Sequence, residues 1–481
     1  MSIPRVRTRS LGDSADAVRP EDAPAVHVVT FGCQMNKYDS LFVEGRFLAE
    51  GWRLADDPDR ADAILFNTCS VRDHAEERVY SWVGSLKRAK ERRPDLVIGV
   101  LGCMAQRAGE EIFGRAAHVD IVCGTKRIAD LPAMVQEVRS RRGAGNGAAA
   151  GRLIDVDLDG EVRADRSREP YTGGLVGHLA VMRGCDLNCT FCIVPTVRGR
   201  VQSRPLADIA AEARWMVAGG ARVITLLGQT VNSYGEDLPS PGPGAPRGRG
   251  RGGRIGLADV LHALQEIDGL ERIRLVTLHP SYVTREFARA ILECDKVDRF
   301  LPLPAQSGSD AVLRRMKRGY TTDLYRERVA ILREFVPDIE LGSDWIVGFP
   351  GESDADFERS LAFLAEIGFV QNYVFQFDPR PGTKAAELLD DVPLSVKKER
   401  NHRLLSASEG VALERQRAWI GREVEVFVEG ALEKRPGSVR GRSQHNLPVS
   451  LRGETSWIGS RVRVCIGEAT AFGLSGIPVG Q

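Results

Sequence analysis

The sequence has no apolar run that approaches the length of a membrane-spanning helix, and residues 1–20 mix Arg with Asp and lack the apolar core of an export signal. We therefore expect a cytoplasmic protein without membrane contact, in which residues 1–24 form a disordered tail. Net charge is nearly absent too, because 66 Lys and Arg balance 65 Asp and Glu to leave +1. Overall charge thus does not require a nucleic-acid partner. The 481 residues, 43% hydrophobic and 27% charged, predict a folded chain of more than one domain.

The nine cysteines are an odd number and, in a reducing compartment, do not indicate a disulfide framework. Three of them, Cys185, Cys189 and Cys192, have C-x-x-x-C-x-x-C spacing directly after a strand-like run. This spacing is typical of thiolates that hold three corners of a 4Fe-4S cluster and leave the fourth iron open. An open coordination position indicates a catalytic metal site, so we expect an enzyme. Zinc is the alternative, but no His lies between Ala180 and Arg200 to complete a zinc site.

The first block, residues 25–141, alternates strand-like with helix-like segments, which predicts an open βα sheet. Three strand-like runs are each followed closely by a cysteine; the runs are His27–Phe31, Ala63–Phe66 and Leu96–Leu101, and the cysteines are Cys33, Cys69 and Cys103. Because residues just past parallel strands gather at one edge of a sheet, these cysteines are candidates for a second cluster. Cys123 follows a short apolar run as well. The alternative for each cysteine taken singly is a small core residue.

Residues 142–170 are predicted to be a linker, because they begin with a small, flexible Gly- and Ala-rich run. A second block follows this linker. Strands and helices alternate again over 171–411, which predicts a barrel or partial barrel with its active groups at the carboxyl ends of the strands. Besides the cysteine triplet, the candidates in these loops are Gly228, Gln229, His279, Gln306, Ser307 and Gly348. For Gly348 a tight turn is the alternative, and for His279 a hydrogen-bonded polar residue at a strand end.

The segment 239–254 interrupts this block with Pro, Gly and four Arg spaced by Gly. It cannot form a core and is predicted to be an exposed loop. Its arginines are suited to phosphate contacts, and a tolerant surface loop is the alternative.

The last block, 414–478, has short alternating strands separated by turn residues, which predicts a small β-barrel. Small barrels of this kind often bind RNA through basic and polar side chains. The candidate contacts are Arg440, Arg442, His445 and Asn446. A solvated strand face would have the same composition.

Three motifs of the first block contain the strand-end cysteines: Thr30–Asn36 (TFGCQMN), Asn67–Arg72 (NTCSVR) and Gly102–Gln106 (GCMAQ). Four motifs of the second block are Leu226–Gln229, Gln306–Ser309, Met316–Gly319 and Asp344–Glu352. With the cysteine triplet they resemble the radical S-adenosylmethionine (SAM) methylthiotransferase family over nearly the whole chain after the tail. The terminal barrel resembles a TRAM-type RNA-binding domain. Cys123 and the Arg-Gly loop have no counterpart in that family.

The resemblance implies an α/β protein with an N-terminal methylthiotransferase domain, a radical-SAM partial (βα) barrel and the terminal β-barrel. It implies two 4Fe-4S clusters: a radical-SAM cluster on Cys185, Cys189 and Cys192, and an auxiliary, sulfur-carrying cluster held by the other triplet, Cys33, Cys69 and Cys103. SAM serves as methyl donor and radical source. Phe191 is expected to pack beside the adenine of SAM, with simple packing as the alternative.

Within the family the resemblance is greatest to the branch that methylthiolates C2 of a dimethylallyl-adenosine beside the anticodon. The implied partners are the tRNA anticodon stem-loop, an electron donor and a sulfur donor, and we expect a monomer. Two sibling activities are alternatives, on threonylcarbamoyl-adenosine in tRNA and on an aspartate of a ribosomal protein. Relatives of the latter usually have Gly-Cys-Pro-Lys-Asn where this chain has Gly32–Asn36. A non-catalytic RNA-binding iron-sulfur protein is the alternative outside enzymes.

Overall fold

The computed structural model of the protein describes residues 22–70, 73–143, 151–159, 166, 171, 173–242 and 247–480. Most of the predicted tail, much of the predicted linker and four residues of the Arg-Gly loop lie outside this part of the chain. Within it, no helix combines the length and the apolarity needed to cross a membrane.

The N-terminal domain is built on a parallel six-stranded sheet with the order β2-β1-β3-β4-β5-β6. Its strands are β1 (Ala25–Thr30), β2 (Arg53–Leu54), β3 (Ala63–Thr68), β4 (Val97–Gly102), β5 (Ile121–Cys123) and β6 (Leu153–Asp155). Its helices are α1 (Gln34–Ala49), α2 (Asp73–Ser85), α3 (Lys87–Arg92), α4 (Cys103–Ala108), α5 (Glu111–Arg115) and α6 (Leu131–Gly143). Strands β3 and β4 are buried along their whole length, as expected for parallel strands covered on both faces. The predicted open βα sheet is confirmed.

One strand of this sheet lies inside the predicted linker. Leu153–Asp155 forms β6 and pairs with β5 at the sheet edge. The sequence pattern did not indicate it, because three residues are too few to show a strand period.

The central domain is a partial barrel made of two parallel three-stranded sheets, β11-β10-β7 and β12-β13-β14. The strands of these sheets are β7 (Val176–Ala180), β10 (Val223–Leu227), β11 (Arg272–Leu275), β12 (Phe300–Pro302), β13 (Glu340–Val347) and β14 (Gln371–Gln376). Two further strands, β8 (Met182–Arg183) and β9 (Gln202–Ser203), form a separate antiparallel pair. The two sheets are joined where the backbone N–H of Asp298 donates to the carbonyl of Ile273 at 2.9 Å. The predicted partial barrel is therefore confirmed.

Helices cover the outside of this partial barrel. They are α7 (Val194–Arg198), α8 (Leu206–Ala218), α9 (Leu257–Gln265), α10 (Arg285–Glu293), α11 (Asp310–Arg315), α12 (Thr322–Phe335), α13 (Asp354–Ile367) and α14 (Leu394–Arg417). Helix α13 begins at a capping box, in which the Ser353 hydroxyl accepts from the Asp356 N–H at 3.2 Å and the Asp356 carboxylate accepts from the Ser353 N–H at 3.1 Å. One large apolar core, which includes Leu226, Ile273 and Trp345, joins strands to helices.

The C-terminal domain is a closed five-stranded barrel with the order β15-β16-β17-β19-β18. Its strands are β15 (Glu423–Ala431), β16 (Ser438–Ser443), β17 (Pro448–Arg452), β18 (Arg461–Thr470) and β19 (Gly473–Pro478). The predicted small barrel is confirmed, but the sequence did not indicate β19, whose two Gly and one Pro are typical of turns rather than strands.

This barrel is attached to the amino-terminal ends of the central strands. Arg272, the first residue of β11, pairs with Glu425 at 2.9 Å, and Arg299, just before β12, donates its backbone N–H to the Gln444 carbonyl at 2.8 Å. The carboxyl ends of those strands, where the candidate site lies, face away from the C-terminal domain.

Candidate active site

The three candidate cysteines of the N-terminal domain lie in loops that are in direct contact. Gly32 precedes Cys33, and a Cβ added to it would lie 2.5 Å from Cys69 Cβ. Gly102 precedes Cys103, and a Cβ there would lie 2.6 Å from the carbonyl oxygen of Thr68. Both glycines have positive φ, 111° and 92°, so each allows a turn and a close approach that a side chain would prevent. The structure thus gathers Cys33, Cys69 and Cys103 at one edge of the sheet.

Two asparagines hold these loops together. Asn36 Nδ2 donates to Asn67 Oδ1 at 3.1 Å and to the Thr68 carbonyl at 2.8 Å, and Asn67 Nδ2 donates back to the Asn36 carbonyl at 2.8 Å. The Cys33 thiol donates to Asn36 Oδ1 at 3.3 Å. Both asparagines are buried, so these bonds fix the Cys33 loop against the Cys69 loop. They belong to the quoted motifs, yet nothing in the sequence assigned them this positioning role.

The cysteine triplet of the central domain follows β8 at the mouth of the partial barrel. Cys185 Sγ lies 3.5 Å from Thr230 Oγ1, and Cys189 Sγ accepts from Arg318 Nη1 at 3.2 Å. The backbone N–H of Cys192 donates to the Cys189 carbonyl at 3.1 Å, which turns the third cysteine back toward the second. Burial raises the pKa of Cys185 and raises that of Cys192 to about 12, so both thiols are protonated until a metal displaces the proton.

One packing contact joins the segments that carry the two cysteine triplets. Cys103 packs against Ile193 and Val197, and Ile193 is the residue directly after Cys192. Helix α4, which begins at Cys103, therefore packs on helix α7, which begins two residues after Cys192. Cys103 is thus in contact with the residue that directly follows Cys192 in the chain.

A buried charge cluster joins the two domains at the same place. Asp39 on α1 pairs with Arg183 at 2.8 Å and with Arg198, at the end of α7, at 3.0 Å. The Arg198 guanidinium also lies near the Cys103 thiol and donates to Asn36 Oδ1 at 3.4 Å. One carboxylate thus neutralises two arginines, and one of these arginines contacts a candidate ligand. The sequence pattern does not indicate any of these three residues, because their pairing links positions more than 140 apart.

Replacing Asp39 by Asn is expected to destabilise this interface by about 3–5 kcal/mol, because it leaves two buried guanidinium groups without a counter-charge. The measurement is the free energy of unfolding from urea denaturation. The matched control is Glu77→Gln, since Glu77 forms an exposed pair with Arg115 at 3.0 Å and such pairs contribute less than about 1 kcal/mol. Equal stability losses in the two variants would contradict the assignment.

The remaining candidates of the central domain divide into two groups. Ser307 and Gly348 have structural partners: the Ser307 hydroxyl lies 3.2 Å from that of Ser360, and the Gly348 N–H donates to Glu352 Oε2 at 2.6 Å in a turn with φ of 68°. Gly228 packs tightly, because a Cβ there would lie 2.6 Å from Met182 Cγ. A cofactor contact by any of these three stays a prediction, and for Gly348 the turn explains the residue.

The second group is open to a ligand. Gln229 Oε1 is buried and has no hydrogen-bond partner among the described residues. Gln306 is almost fully buried with φ of 63°, which is uncommon for a residue other than Gly. Phe191 is half-buried and packs on a small cluster that includes Phe349 and Phe377. These three side chains remain candidates for the SAM site.

His279 and Arg318 complete the mouth. Burial and the nearby Arg318 lower the pKa of His279 to about 3, so its imidazole is neutral, and its Nδ1 accepts from the Ser281 N–H at 3.3 Å. This matches the hydrogen-bonded strand-end alternative. Arg318 is buried beside Cys189, and among the described residues no carboxylate lies within ion-pair distance of it, although the Asp344 carboxyl is near enough to feel its charge. A buried guanidinium without an ion-paired carboxylate fits a ligand that brings its own carboxylate, as SAM does.

Within the described residues, no three His, Cys, Asp or Glu side chains converge on one point that a single metal ion would occupy. A 4Fe-4S cluster bonds each thiolate to a different iron and needs them spread around a larger volume. The two triplets, all thiol and free of disulfides, fit that donor chemistry.

The four candidate RNA contacts of the C-terminal barrel differ in exposure. Arg440 is exposed, whereas His445 is buried, packs on Trp419 at 4.4 Å between ring centroids and bonds to Asp338 at 2.9 Å. Arg442 Nη1 donates to the Asn446 carbonyl at 2.8 Å. His445 therefore joins the barrel to the central domain. RNA contact by these residues stays a prediction, and Arg440 is the residue best placed for it.

A partial barrel with C-x-x-x-C-x-x-C at its mouth is typical of one class of proteins, the radical SAM proteins. In this chain the barrel is joined to a parallel sheet. Residues 179–364 match the family described as "Radical SAM superfamily", and residues 25–124 match "Uncharacterized protein family UPF0004". The fold is similar to that of the radical S-adenosylmethionine methyltransferase TsrM from Kitasatospora setae, with a TM-score of 0.51 and 15% identity over 87% of this chain and 77% of that one.

Curated relatives identify one family within this class. The chain is 39% identical over 453 residues, 94% of its length and 99% of the relative's, to a tRNA-2-methylthio-N(6)-dimethylallyladenosine synthase from Coxiella burnetii (strain RSA 331 / Henzerling II). The same identity holds over 456 residues, 95% of each chain, to the synthase of that name from Methylococcus capsulatus. The chain belongs to the tRNA-2-methylthio-N(6)-dimethylallyladenosine synthase family, and it is a radical SAM enzyme.

Proposed function

We propose that this enzyme transfers a methylthio group to C2 of a dimethylallyl-adenosine next to the anticodon of tRNA. The observation that carries the proposal is the contact between Cys103 and Ile193, which brings two triplets of thiols together at one mouth. Such a pair of sites suits a reaction that needs both an activated carbon and a sulfur source. The identity to synthases of this name over 94% of the chain supports the same reaction.

The central triplet, Cys185, Cys189 and Cys192, would hold the radical-SAM cluster, and Cys33, Cys69 and Cys103 the auxiliary one. When bound, the clusters and SAM supply an electron for reductive cleavage of SAM, a methyl group and sulfur, which together functionalise an unreactive carbon–hydrogen bond. An electron donor and a sulfur donor are therefore required partners, and we propose that the enzyme acts as a monomer in the cytoplasm.

The residues around the mouth orient the reactants and exclude water. Arg318 provides positive charge for the carboxylate of SAM, and Gln229 Oε1 provides an acceptor for its amino group. Cys69, Cys103, Cys185 and Cys189 are buried, which limits solvent around the reacting carbon, whereas Cys33 is exposed. The target base must leave its stack to enter the mouth, at a cost of a few kcal/mol that is smaller in a loop than in a duplex.

The test is mass spectrometry of tRNA nucleosides from a strain that lacks the gene, with and without a plasmid copy. The proposal predicts loss of 2-methylthio-dimethylallyladenosine, accumulation of dimethylallyladenosine, and restoration by the plasmid. Loss of the methylthio form of threonylcarbamoyl-adenosine instead would assign the sibling tRNA activity. Unchanged nucleosides with an unmodified ribosomal-protein aspartate would assign the protein-modifying sibling. Absence of SAM cleavage by reconstituted protein with intact clusters would favour the non-catalytic alternative.

A further inference from the structure

Residues 247–254 of the Arg-Gly loop form an ordered turn at the rim of the barrel mouth. The turn lies in the connection from β10 to α9, at the carboxyl end of a central strand. The Gly248 N–H donates to the Gly253 carbonyl and the Gly250 N–H to the Arg254 carbonyl, both at 2.8 Å. The Arg249 N–H donates to Asp259 Oδ2 at 2.8 Å, which ties the turn to α9. Its arginines therefore project from a fixed backbone.

The turn is attached to the loop that follows β11 at the same mouth. Arg251 Nη2 donates to the Ser281 carbonyl at 2.7 Å, and its guanidinium lies 5.3 Å from the ring centroid of Tyr282. The neighbouring His279 carbonyl accepts from Asn232 Nδ2 at 2.9 Å, two residues beyond Thr230, which contacts Cys185. The turn is thus linked to the radical-SAM triplet through two short loops.

The turn carries more positive charge than its surroundings neutralise. Arg249 lies 3.4 Å from Asp259, and Arg251 lies 3.7 Å from Glu236. Arg247 and Arg254 pair with no carboxylate in the described part of the chain, and Arg254 Nε is buried without any hydrogen-bond partner. Two guanidinium groups are therefore available to an anion that approaches the mouth.

The C-terminal barrel, the other candidate for RNA binding, is attached at the opposite end of the central strands from the mouth. An anionic polymer at the mouth therefore needs a separate contact there. The pairs that hold it there, Arg272 with Glu425 and Arg274 with Glu429, lie at the start of β11. Guanidinium groups bind phosphate oxygens through two parallel hydrogen bonds, which suits them to a nucleic-acid backbone.

We propose that residues 247–254 bind the phosphate backbone of the tRNA anticodon stem-loop while its target base occupies the mouth. This inference rests on the proposed function, since it names where that substrate is held. Arg247 and Arg254 contribute the contacts, and Arg249 and Arg251 hold the turn in place. The contacts are to phosphates, so they contribute affinity and position without reading base identity.

The experiment measures binding of a synthetic anticodon stem-loop containing dimethylallyl-adenosine to the full-length protein over a series of KCl concentrations. The test variant is Arg247→Gln/Arg254→Gln. The matched control is Arg88→Gln/Arg92→Gln, which removes the same charge from the exposed surface of α3, just before β4 and at the opposite edge from the cysteines. A third variant, Arg247→Lys/Arg254→Lys, keeps the charge. SAM cleavage without RNA serves as a measure of intact chemistry.

Each lost phosphate contact lowers the slope of log K against log salt by about 0.7–0.9, so the test variant is expected to lose about 1.4–1.8 from its slope. Its Kd should rise on the order of 10-fold at 150 mM salt, with the control close to the parent. The Lys variant should keep the parent's salt slope, because its charge is unchanged, but bind more weakly, because Lys cannot make the paired hydrogen bonds. A test variant with the parent's slope and Kd would overturn this inference and leave the proposed function standing. A parent that does not bind the stem-loop would contradict the proposed function and, with it, the inference.

Discussion

The variant Cys185→Ala/Cys189→Ala/Cys192→Ala is expected to form no 5′-deoxyadenosine from SAM and no methylthiolated RNA. The reason is that these thiols are the only anchors we assign to the cluster that donates the electron, and an unreactive carbon–hydrogen bond has no other route to activation. Loss of the catalysed reaction corresponds to a rate decrease of at least about 10⁶-fold, the lower end of enzymatic accelerations. The measurement is quantification of 5′-deoxyadenosine and modified nucleoside after anaerobic incubation with a reductant.

Cys465→Ala is the control for this first variant. Cys465 lies in β18 of the C-terminal barrel, away from both triplets, and its replacement should leave both products at the parent's level. Substantial 5′-deoxyadenosine from the triple variant would contradict the assignment of the radical-SAM site.

The variant Cys33→Ala/Cys69→Ala/Cys103→Ala is expected to separate the two halves of the reaction. It should still cleave SAM, because the central triplet and Arg318 are untouched, and it should transfer no methylthio group, because the sulfur-carrying site is lost. The same two products measure this outcome, as a ratio of nucleoside to 5′-deoxyadenosine that falls to the background value.

The matched control is Cys123→Ala, in the same sheet. Cys123 is fully buried at the end of β5 and has no contact with either triplet in the described residues, and burial raises the pKa of its thiol, as for a core cysteine. The control should keep the parent's product ratio. If the ratio of nucleoside to 5′-deoxyadenosine fell to background in Cys123→Ala but stayed at the parent's value in the triple variant, the wrong cysteines would have been assigned.

The architecture was largely predictable because each domain repeats a short pattern. Buried runs such as Ala63–Phe66 and Val223–Leu227 have the length and composition of parallel strands, and both are strands in the structure. The sequence failed where an element was short or had the wrong composition. β6 has three residues, and β19, Gly473–Pro478, is a strand because the closed barrel supplies partners on both sides.

The position of the candidate cysteines was predictable for a different reason. The shared location of cysteines that directly follow parallel strands can be predicted, because the topology alone brings the strand ends to one edge of the sheet. The residues that hold the cysteine loops in place could not be predicted in this way. Asp39, Arg183 and Arg198 form their contacts only after two domains have come together. For His445 the sequence suggested RNA contact and did not indicate that the side chain is buried against Asp338 in the domain interface.

The most direct test of the account is the iron and sulfide content per chain, with Mössbauer spectra, of the reconstituted parent and of the two triple variants. Two 4Fe-4S clusters predict about eight iron atoms for the parent and about four for each variant, with a single 4Fe-4S signal remaining in each. A parent with about four iron atoms, or a Cys33/Cys69/Cys103 variant that keeps the parent's full content, would contradict the central claim that two cysteine triplets hold two clusters at one mouth.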